Sequence, residues 1–199
     1  MADPGYIVDG VLTDGEAWIG IATTTLGAAT ATVTFTSTDD GQVGDFSQYM
    51  DLVVIAYVAS DRAATGDMVT TWLNGDTTTS NYSYQTMVGD GRPAVEATSA
   101  TTGGRGMDTR RCAAASSTNI FTAIVMNFFD VNSGKHKSAV ATMANDIDSA
   151  VEDSYAGMAA STWKSQAPIT SIQFGMNTGP NVAAGSKFSL FGVLPRMVA

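Results

Sequence analysis

The sequence predicts an all-β protein, specifically an antiparallel jelly-roll β-sandwich, and three observations carry that prediction. Apolar and polar residues alternate with a period of two in several segments, which is the pattern of half-buried strands. Clusters of Gly, Asn, Asp, Ser and Thr interrupt those segments roughly every ten to fifteen residues, as in sandwiches and barrels. Only 15% of the residues are charged, against roughly 25% in typical globular proteins, which disfavours long amphipathic helices.

The chain of 199 residues is long enough to bury one core and falls within the range of single-domain sandwiches. We expect an N-terminal arm or first hairpin over residues 1–29, where glycines interrupt short apolar pieces. Within it, residues 17–21 have the composition of a short strand. We expect the jelly-roll sandwich itself over residues 30–199.

From residue 30 onward, nine segments have the composition or the alternation of strands. Residues 49–60 form a β-branched and aromatic run that is typical of a central strand. The Asn74-Gly75 pair predicts a tight turn. The segment 151–163 is rich in Ala and Met, so a helix is an alternative prediction there, although we favour a strand ending at Trp163. The predicted strands cover residues 31–36, 49–60, 67–73, 82–88, 119–131, 135–143, 151–163, 169–176 and 187–194.

Residues 89–117 have no strand pattern, because glycines and Pro93 lie among Thr, Ser, Ala and Arg. We predict one long loop there, and loops of that length in compact domains are often functional. Its basic cluster of Arg105, Arg110 and Arg111 is the candidate partner-contact loop. The alternative is a solvated loop whose arginines pair with acidic neighbours.

The residues needed for catalysis are scarce, and we predict that the protein is not an enzyme. Nucleophilic triads need a base, and the single histidine, His136, lies between two lysines in an apparent hairpin, where we expect a surface position. Because the chain has a single cysteine, Cys112, it cannot form an intrachain disulfide, and we predict that Cys112 is a small buried apolar residue. Only three glutamates exist, so a glycosidase pair of carboxylates is not evident.

Three weaker signals have structural readings that we prefer. Asp51 interrupts an apolar run, and alternation places it on a face with Tyr49 and Val53, which indicates an interface or edge position. The acidic turns at residues 39–41 and 145–148 lack the spacing of a calcium loop, so we predict no metal and no other cofactor. The three tryptophans could form a sugar-stacking platform, but core positions are the default.

The charge balance also limits the partners. A net charge of −9 opposes binding to a nucleic-acid backbone, which requires a basic patch. No apolar run is long enough to span a membrane. The first residues lack a basic segment followed by an apolar one, so we expect synthesis in a cytoplasm without a secretory signal. A surface of small uncharged polar residues is suited to packing against other subunits.

Several of these segments resemble virion structural proteins of tailed bacteriophages that have a concanavalin-like jelly roll. The resemblance covers about residues 30–194 and concerns strand ends and turns. The loop from Arg105 to Ser117 has no counterpart in it. The matching segments are residues 35–38, 46–52 (FSQYMDL), 72–76 (WLNGD), 81–84, 167–172 (APITSI) and 184–193 (AGSKFSLFGV).

This resemblance implies a role in a phage particle. The first expectation is a capsid decoration (cement) protein that binds and stabilises the head shell, with the major capsid protein and copies of itself as partners. It would be made in the bacterial host cytoplasm and lie on the capsid surface, as a cyclic oligomer, for which we predict a trimer. The alternative is a receptor- or glycan-binding domain of a tail or head fibre, with a host-surface glycan as its ligand.

Overall fold

The fold is described from a computed structural model of the chain. It describes residues 7–8, 11–12, 18–90, 96–100, 106–109, 111–117, 119–146 and 154–194. Sixteen strands lie in these ranges, and the helical content is two three-residue 3-10 helices, Phe46–Gln48 and Thr79–Asn81. In chain order the strands are β1 (Ile7–Val8), β2 (Val11–Leu12), β3 (Trp18–Thr25), β4 (Thr32–Thr36), β5 (Asp51–Val58), β6 (Gly66–Asp67), β7 (Val69–Leu73), β8 (Tyr82–Gly89), β9 (Glu96–Ala100), β10 (Met107–Asp108), β11 (Cys112–Ala113), β12 (Thr122–Phe129), β13 (Lys137–Asn145), β14 (Tyr155–Trp163), β15 (Ser171–Met176) and β16 (Lys187–Val193).

Two antiparallel sheets make the body of the molecule. The larger sheet has eight strands in the order β3-β16-β5-β12-β13-β14-β8-β9, and the smaller has four in the order β10-β7-β15-β4. Every pairing in both sheets is antiparallel. Two-residue pairings, β1 with β2 and β11 with β6, complete the described strands.

The two sheets pack on each other around one apolar core. The rings of Phe174 on β15 and Phe188 on β16 lie 5.2 Å apart, so they join the smaller sheet to the larger. The hydroxyl of Tyr82 on β8 accepts a hydrogen bond from the backbone N–H of Leu73 at 3.1 Å and donates one to the carbonyl of Asp76 at 2.8 Å. Tyr82 is fully buried, so this pair of bonds satisfies its polar atom inside the core.

The predicted all-β sandwich is therefore confirmed. All nine segments predicted as strands contain one, including 151–163, where the strand Tyr155–Trp163 excludes the helix alternative. The chain passes from one sheet to the other repeatedly: β4 and β7 lie in the smaller sheet, and β5 and β8 lie in the larger. The finer jelly-roll topology stays a prediction.

The single long loop predicted for residues 89–117 is wrong. That segment contains β9, which pairs with β8 as the edge of the larger sheet, together with the two-residue strands β10 and β11. These strands are held by backbone hydrogen bonds. Strand β9 consists of Glu, Ala, Thr and Ser, and β10 and β11 are two residues long, so none of them shows a recognisable apolar alternation.

The N-terminal part contributes to the larger sheet. Strand β3 pairs with β16 along its length, with a register irregularity between Leu190 and Phe191. The predicted short strand at 17–21 corresponds to the first half of β3. The division of the chain at residues 29 and 30 stays a prediction.

Candidate functional site

The larger sheet has a core-facing side and a side that faces away from the smaller sheet, called here the outer face. Alternation along β5 shows the division: Leu52, Val54, Ala56 and Val58 lie in the core cluster, so the intervening side chains point outward. The same alternation in the other strands of the larger sheet defines the rest of the outer face.

One row of side chains shows the chemistry of the outer face. Register places Ile55, Val125, Thr142, Met158 and Met87 side by side on five adjacent strands. Four of these five residues are apolar, and the fifth has a methyl group beside its hydroxyl. Such cross-strand neighbours contact one another directly, so the row is a continuous apolar strip.

Exposed apolar residues are concentrated on this face. Of the seven large apolar side chains that are exposed in the described part of the chain, six lie on it. Met87 is 53% exposed and Tyr57 is 50% exposed, which is far from the usual burial of such side chains. The six residues are Trp18, Ile55, Tyr57, Met87, Phe129 and Met158.

Aromatic contacts order the side of the outer face that is formed by β3, β16 and β5. The rings of Trp18 and Phe191, on the neighbouring strands β3 and β16, are 6.1 Å apart. Tyr57 stacks on Phe121 with ring centroids 5.2 Å apart. Packed rings keep few rotamers, so little conformational entropy is lost when such a surface is covered by a partner.

Charge is nearly absent from the outer face. Among the outward positions of the eight strands whose side chains the structure describes, only Lys187 and Asp51 are charged, and each lies at a strand end. The net charge of −9 is therefore carried elsewhere on the chain. A nearly uncharged surface with exposed aromatic and methionine side chains has the composition of the buried part of protein interfaces.

The smaller sheet has the opposite character on its own outward side. A groove of about 620 Å³ lies at one end of β4 and β15, lined mostly by polar residues such as Thr34, Thr36 and Asp39, together with Pro168 and Ile169. Trp72 does not line this groove: its ring lies directly over Gly175, because a Cβ atom added there would be 2.7 Å from Cζ3 of the ring. Trp72 remains half-buried.

The acidic residues of this groove have structural roles. Asp45 accepts hydrogen bonds from the backbone N–H groups of Gly41 and Ser47 at 2.9 Å. Asp40, in the same turn, accepts one from Gln42 at 3.0 Å. These bonds hold the pKa of both carboxyl groups below the ordinary value, led by the contacts to Ser47 for Asp45 and to Thr38 for Asp40. The groups act as turn and cap residues.

The predicted partner-contact loop is described only in part. Arg111 is half-buried and directly precedes β11. Arg105 and Arg110 lie outside the described residues, so their grouping with Arg111 stays a prediction. The composition of residues 89–117 drew attention to this segment, whereas the outer face was missed by sequence reasoning.

Asp51 differs from its predicted position. Strand β5 is central in the larger sheet, so an edge position is wrong. Tyr49 does not share a face with Asp51, because it ends the 3-10 helix and packs into the core before β5 begins. Asp51 points outward at the strand end, where its Oδ1 accepts a hydrogen bond from the backbone N–H of Asp130 at 2.7 Å.

His136 and Cys112, the single histidine and the single cysteine, lie apart from each other. His136 is exposed, as predicted. Cys112 is fully buried, also as predicted, and burial raises the pKa of its thiol. A protonated thiol in an apolar site is inert. Trp163 is a core residue whose Nε1–H donates to Oδ2 of Asp76 at 2.8 Å.

Comparisons with protein-family models, with curated proteins and with solved structures found no match. Within the described ranges, no three His, Cys, Asp or Glu residues are grouped closely enough to hold a metal ion. The helices in those ranges are too short to cross a membrane.

Proposed function

We propose that this protein is a structural subunit of a larger assembly, most specifically a capsid decoration protein that binds and stabilises a phage head shell. The observation that carries the proposal is the outer face of the larger sheet, with its six exposed large apolar side chains and almost no charge. The phage context rests on the resemblance of residues 30–194 to virion structural proteins.

The size of the outer face supports a binding role. Eight strands about 4.8 Å apart and about seven residues long span roughly 34 by 23 Å, or about 800 Å². This is the area of the whole face, on which apolar side chains are interspersed with Thr, Ser, Asn and Gln, and it is about the area that each partner contributes to a standard protein interface. A partner that covers this face removes apolar surface from water, which is the main favourable contribution to stable association.

The non-catalytic part of the proposal is supported by how the reactive groups are placed. His136 is exposed on the loop that joins β12 to β13, and Cys112 is buried in the core. Neither has the nucleophile–base geometry that covalent catalysis requires.

A second candidate function, glycan binding in a tail or head fibre, is favoured by the smaller sheet. Its groove is lined by hydroxyl groups of Thr34, Thr36, Ser47 and Ser171, which match the hydroxyl groups of a sugar. Trp72 provides an aromatic ring on the same side of that sheet. Sugar rings pack on aromatic faces, so this ring is a further candidate contact for a saccharide on that side of the sheet.

A cryo-EM map of the particle whose genome encodes this chain tests the proposal. We expect density for the chain over the head lattice, with the outer face of the larger sheet buried. Density at the tail tip would instead support glycan binding. Absence of the chain from purified particles contradicts both functions.

Binding to a glycan array separates the two functions without the particle. The fibre function predicts saturable binding that is lost in Trp72→Ala and kept in Trp18→Ala, a matched change of an aromatic residue on the other sheet. The decoration function predicts no glycan binding by either variant or by the unchanged chain.

A further inference from the structure

The outer face of the larger sheet carries a continuous apolar strip, six exposed large apolar side chains and almost no charge, so its occupant has to present an apolar surface of similar size. A standard protein interface covers about 800 Å² on each partner, and the outer face offers about that area on its eight strands. A second copy of the same face meets this requirement. Sheets that pack face to face in this way form the interior of β-sandwiches.

We propose that the occupant is a second copy of this chain, packed face to face about a two-fold axis that runs across the strands. The inference rests on the proposed assembly function and names its partner. A cyclic trimer needs two different surfaces on each subunit, whereas a two-fold dimer uses one surface twice. Six of the exposed large apolar side chains lie on one face of one sheet, which favours the dimer.

The positions of the two charged residues on the outer face favour a two-fold axis that runs across the strands. Lys187 pairs with Tyr57 in the register of β16 with β5, and Asp51 lies six residues before Tyr57 on β5. The two charged residues are therefore about 20 Å apart along the strands. Rotation about an axis across the strands exchanges the two ends, so Lys187 of each copy comes beside Asp51 of the other.

This geometry also explains how two acidic chains can associate. Two molecules with a net charge of −9 repel each other at long range. The outer face adds little repulsion, because its centre is neutral, its two charges meet their opposites, and Asp130 beside Asp51 is paired with Lys135 at 3.8 Å. Rotation about an axis parallel to the strands would leave both charges at their own ends, without opposite partners.

Molar mass measured by light scattering over a range of protein concentrations tests the proposal. We expect about twice the chain mass of 20.6 kDa. Met158→Glu and Thr142→Glu each place a carboxylate at an exposed position in the centre of the outer face, and we expect each to weaken the dimer at least about a hundredfold. Val43→Glu changes an exposed apolar residue that lies off this face and should leave the dimer unchanged.

The charged pair tests the orientation. Lys187→Glu should weaken the dimer about tenfold, and adding Asp51→Lys to it should restore most of the loss. Melting temperatures of all variants confirm that they remain folded. A monomeric chain, a trimer, or a Met158→Glu variant as dimeric as the unchanged chain overturns the proposal. If the double variant does not regain dimer affinity, the proposed orientation of the two-fold axis is wrong.

The outcomes also separate this inference from the proposed function. A chain that is monomeric but binds particles through the outer face would overturn the dimer and keep the decoration function. A dimer that is absent from particles would keep the dimer and overturn the decoration function.

Discussion

At the scale of single residues, the partly buried carboxylate of Asp76 accepts several hydrogen bonds. Oδ2 of Asp76 accepts hydrogen bonds from Nε1 of Trp163 and from Nδ2 of Asn81, both at 2.8 Å, and Oδ1 accepts one from the backbone of Thr78 at 2.9 Å. Burial opposes ionisation of this carboxyl group, but the hydrogen bonds outweigh it and lower its pKa to about 2. The carboxylate therefore joins the turn after β7 to the ends of β8 and β14.

Asp76→Asn should destabilise the protein by about 1.5–3 kcal/mol, because an amide has one acceptor oxygen and the bonds to a charged acceptor are lost. Urea unfolding at neutral pH measures this free energy. The matched control is Asp39→Asn, which changes an exposed acid in another turn and should have little effect. Equal costs for the two variants would contradict the role given to Asp76.

Asp76 also predicts a pH dependence. Its pKa of about 2 in the folded protein lies below the ordinary value of 3.8, so the unfolded chain binds the proton more readily. Its contribution to stability is therefore present above about pH 4 and is lost as the pH falls toward 2. Unfolding free energies measured across this range should fall less steeply in Asp76→Asn than in the unchanged protein. If the unfolding free energies of the two proteins fall in parallel with pH, a group other than Asp76 causes the acid destabilisation.

Cys112 should be unreactive in the folded protein. It is fully buried, its Sγ lies 3.9 Å from Sδ of Met176, and burial raises the pKa of the thiol. A thiol-specific chromogenic reagent should label almost none of the native chain and one thiol for each chain in denaturant, because the sequence has one cysteine. Rapid labelling of the native protein contradicts this account of the core.

At the scale of elements, the packing of β16 depends on a glycine. A Cβ atom added at Gly192 would lie 2.2 Å from Cδ1 of Tyr49, whose ring is buried and hydrogen-bonded through its hydroxyl to the carbonyl of Val43. The small residue therefore lets Tyr49 close one end of the core beneath the larger sheet.

Gly192→Ala should cost about 1–3 kcal/mol, since the added methyl group displaces a packed ring. Gly20 is the matched control: it lies on the neighbouring strand β3 and an added Cβ meets nothing within 4 Å. Gly20→Ala should be neutral or slightly stabilising because it lowers the entropy of the unfolded chain. Thermal unfolding of the two variants compares them directly, and a similar loss in both would contradict the close approach.

Elements with strong local patterns were predictable from the sequence, and those held by pairing alone were not. Strand β4 alternates strictly and was located almost to the residue. Asn74 and Gly75 adopt the positive φ angles expected of their turn. In contrast, β9 has the sequence EATSA and depends on its pairing with β8. Short edge strands carry little local signal, because their stability comes from a neighbour distant in sequence.

At the scale of the whole molecule, the outer face had a signal that the sequence reasoning did not use. Residues 52–58 (LVVIAYV) are apolar on both faces of the strand, a pattern that indicates cover on both sides of a sheet. The smaller sheet covers one side. The composition suggested packing against other subunits, which stays a prediction, and strand order and register were needed to bring Ile55, Met87 and Met158 into one surface.

Methionine oxidation measures burial of the outer face most directly. Met87 and Met158 are 53% and 44% exposed in the isolated chain, whereas Met126 is buried. Mild peroxide followed by mass spectrometry gives the oxidation rate of each residue in the dissociated chain and in the assembled form. We predict that assembly slows oxidation of Met87 and Met158 at least about tenfold, because the covered sulfur atoms are shielded from the solvent-borne oxidant.

The oxidation rate of Met68, which lies off this face, should be unchanged by assembly. Equal rates for Met87 and Met158 in the two forms would show that the outer face stays open to solvent, contradicting its role as the assembly surface.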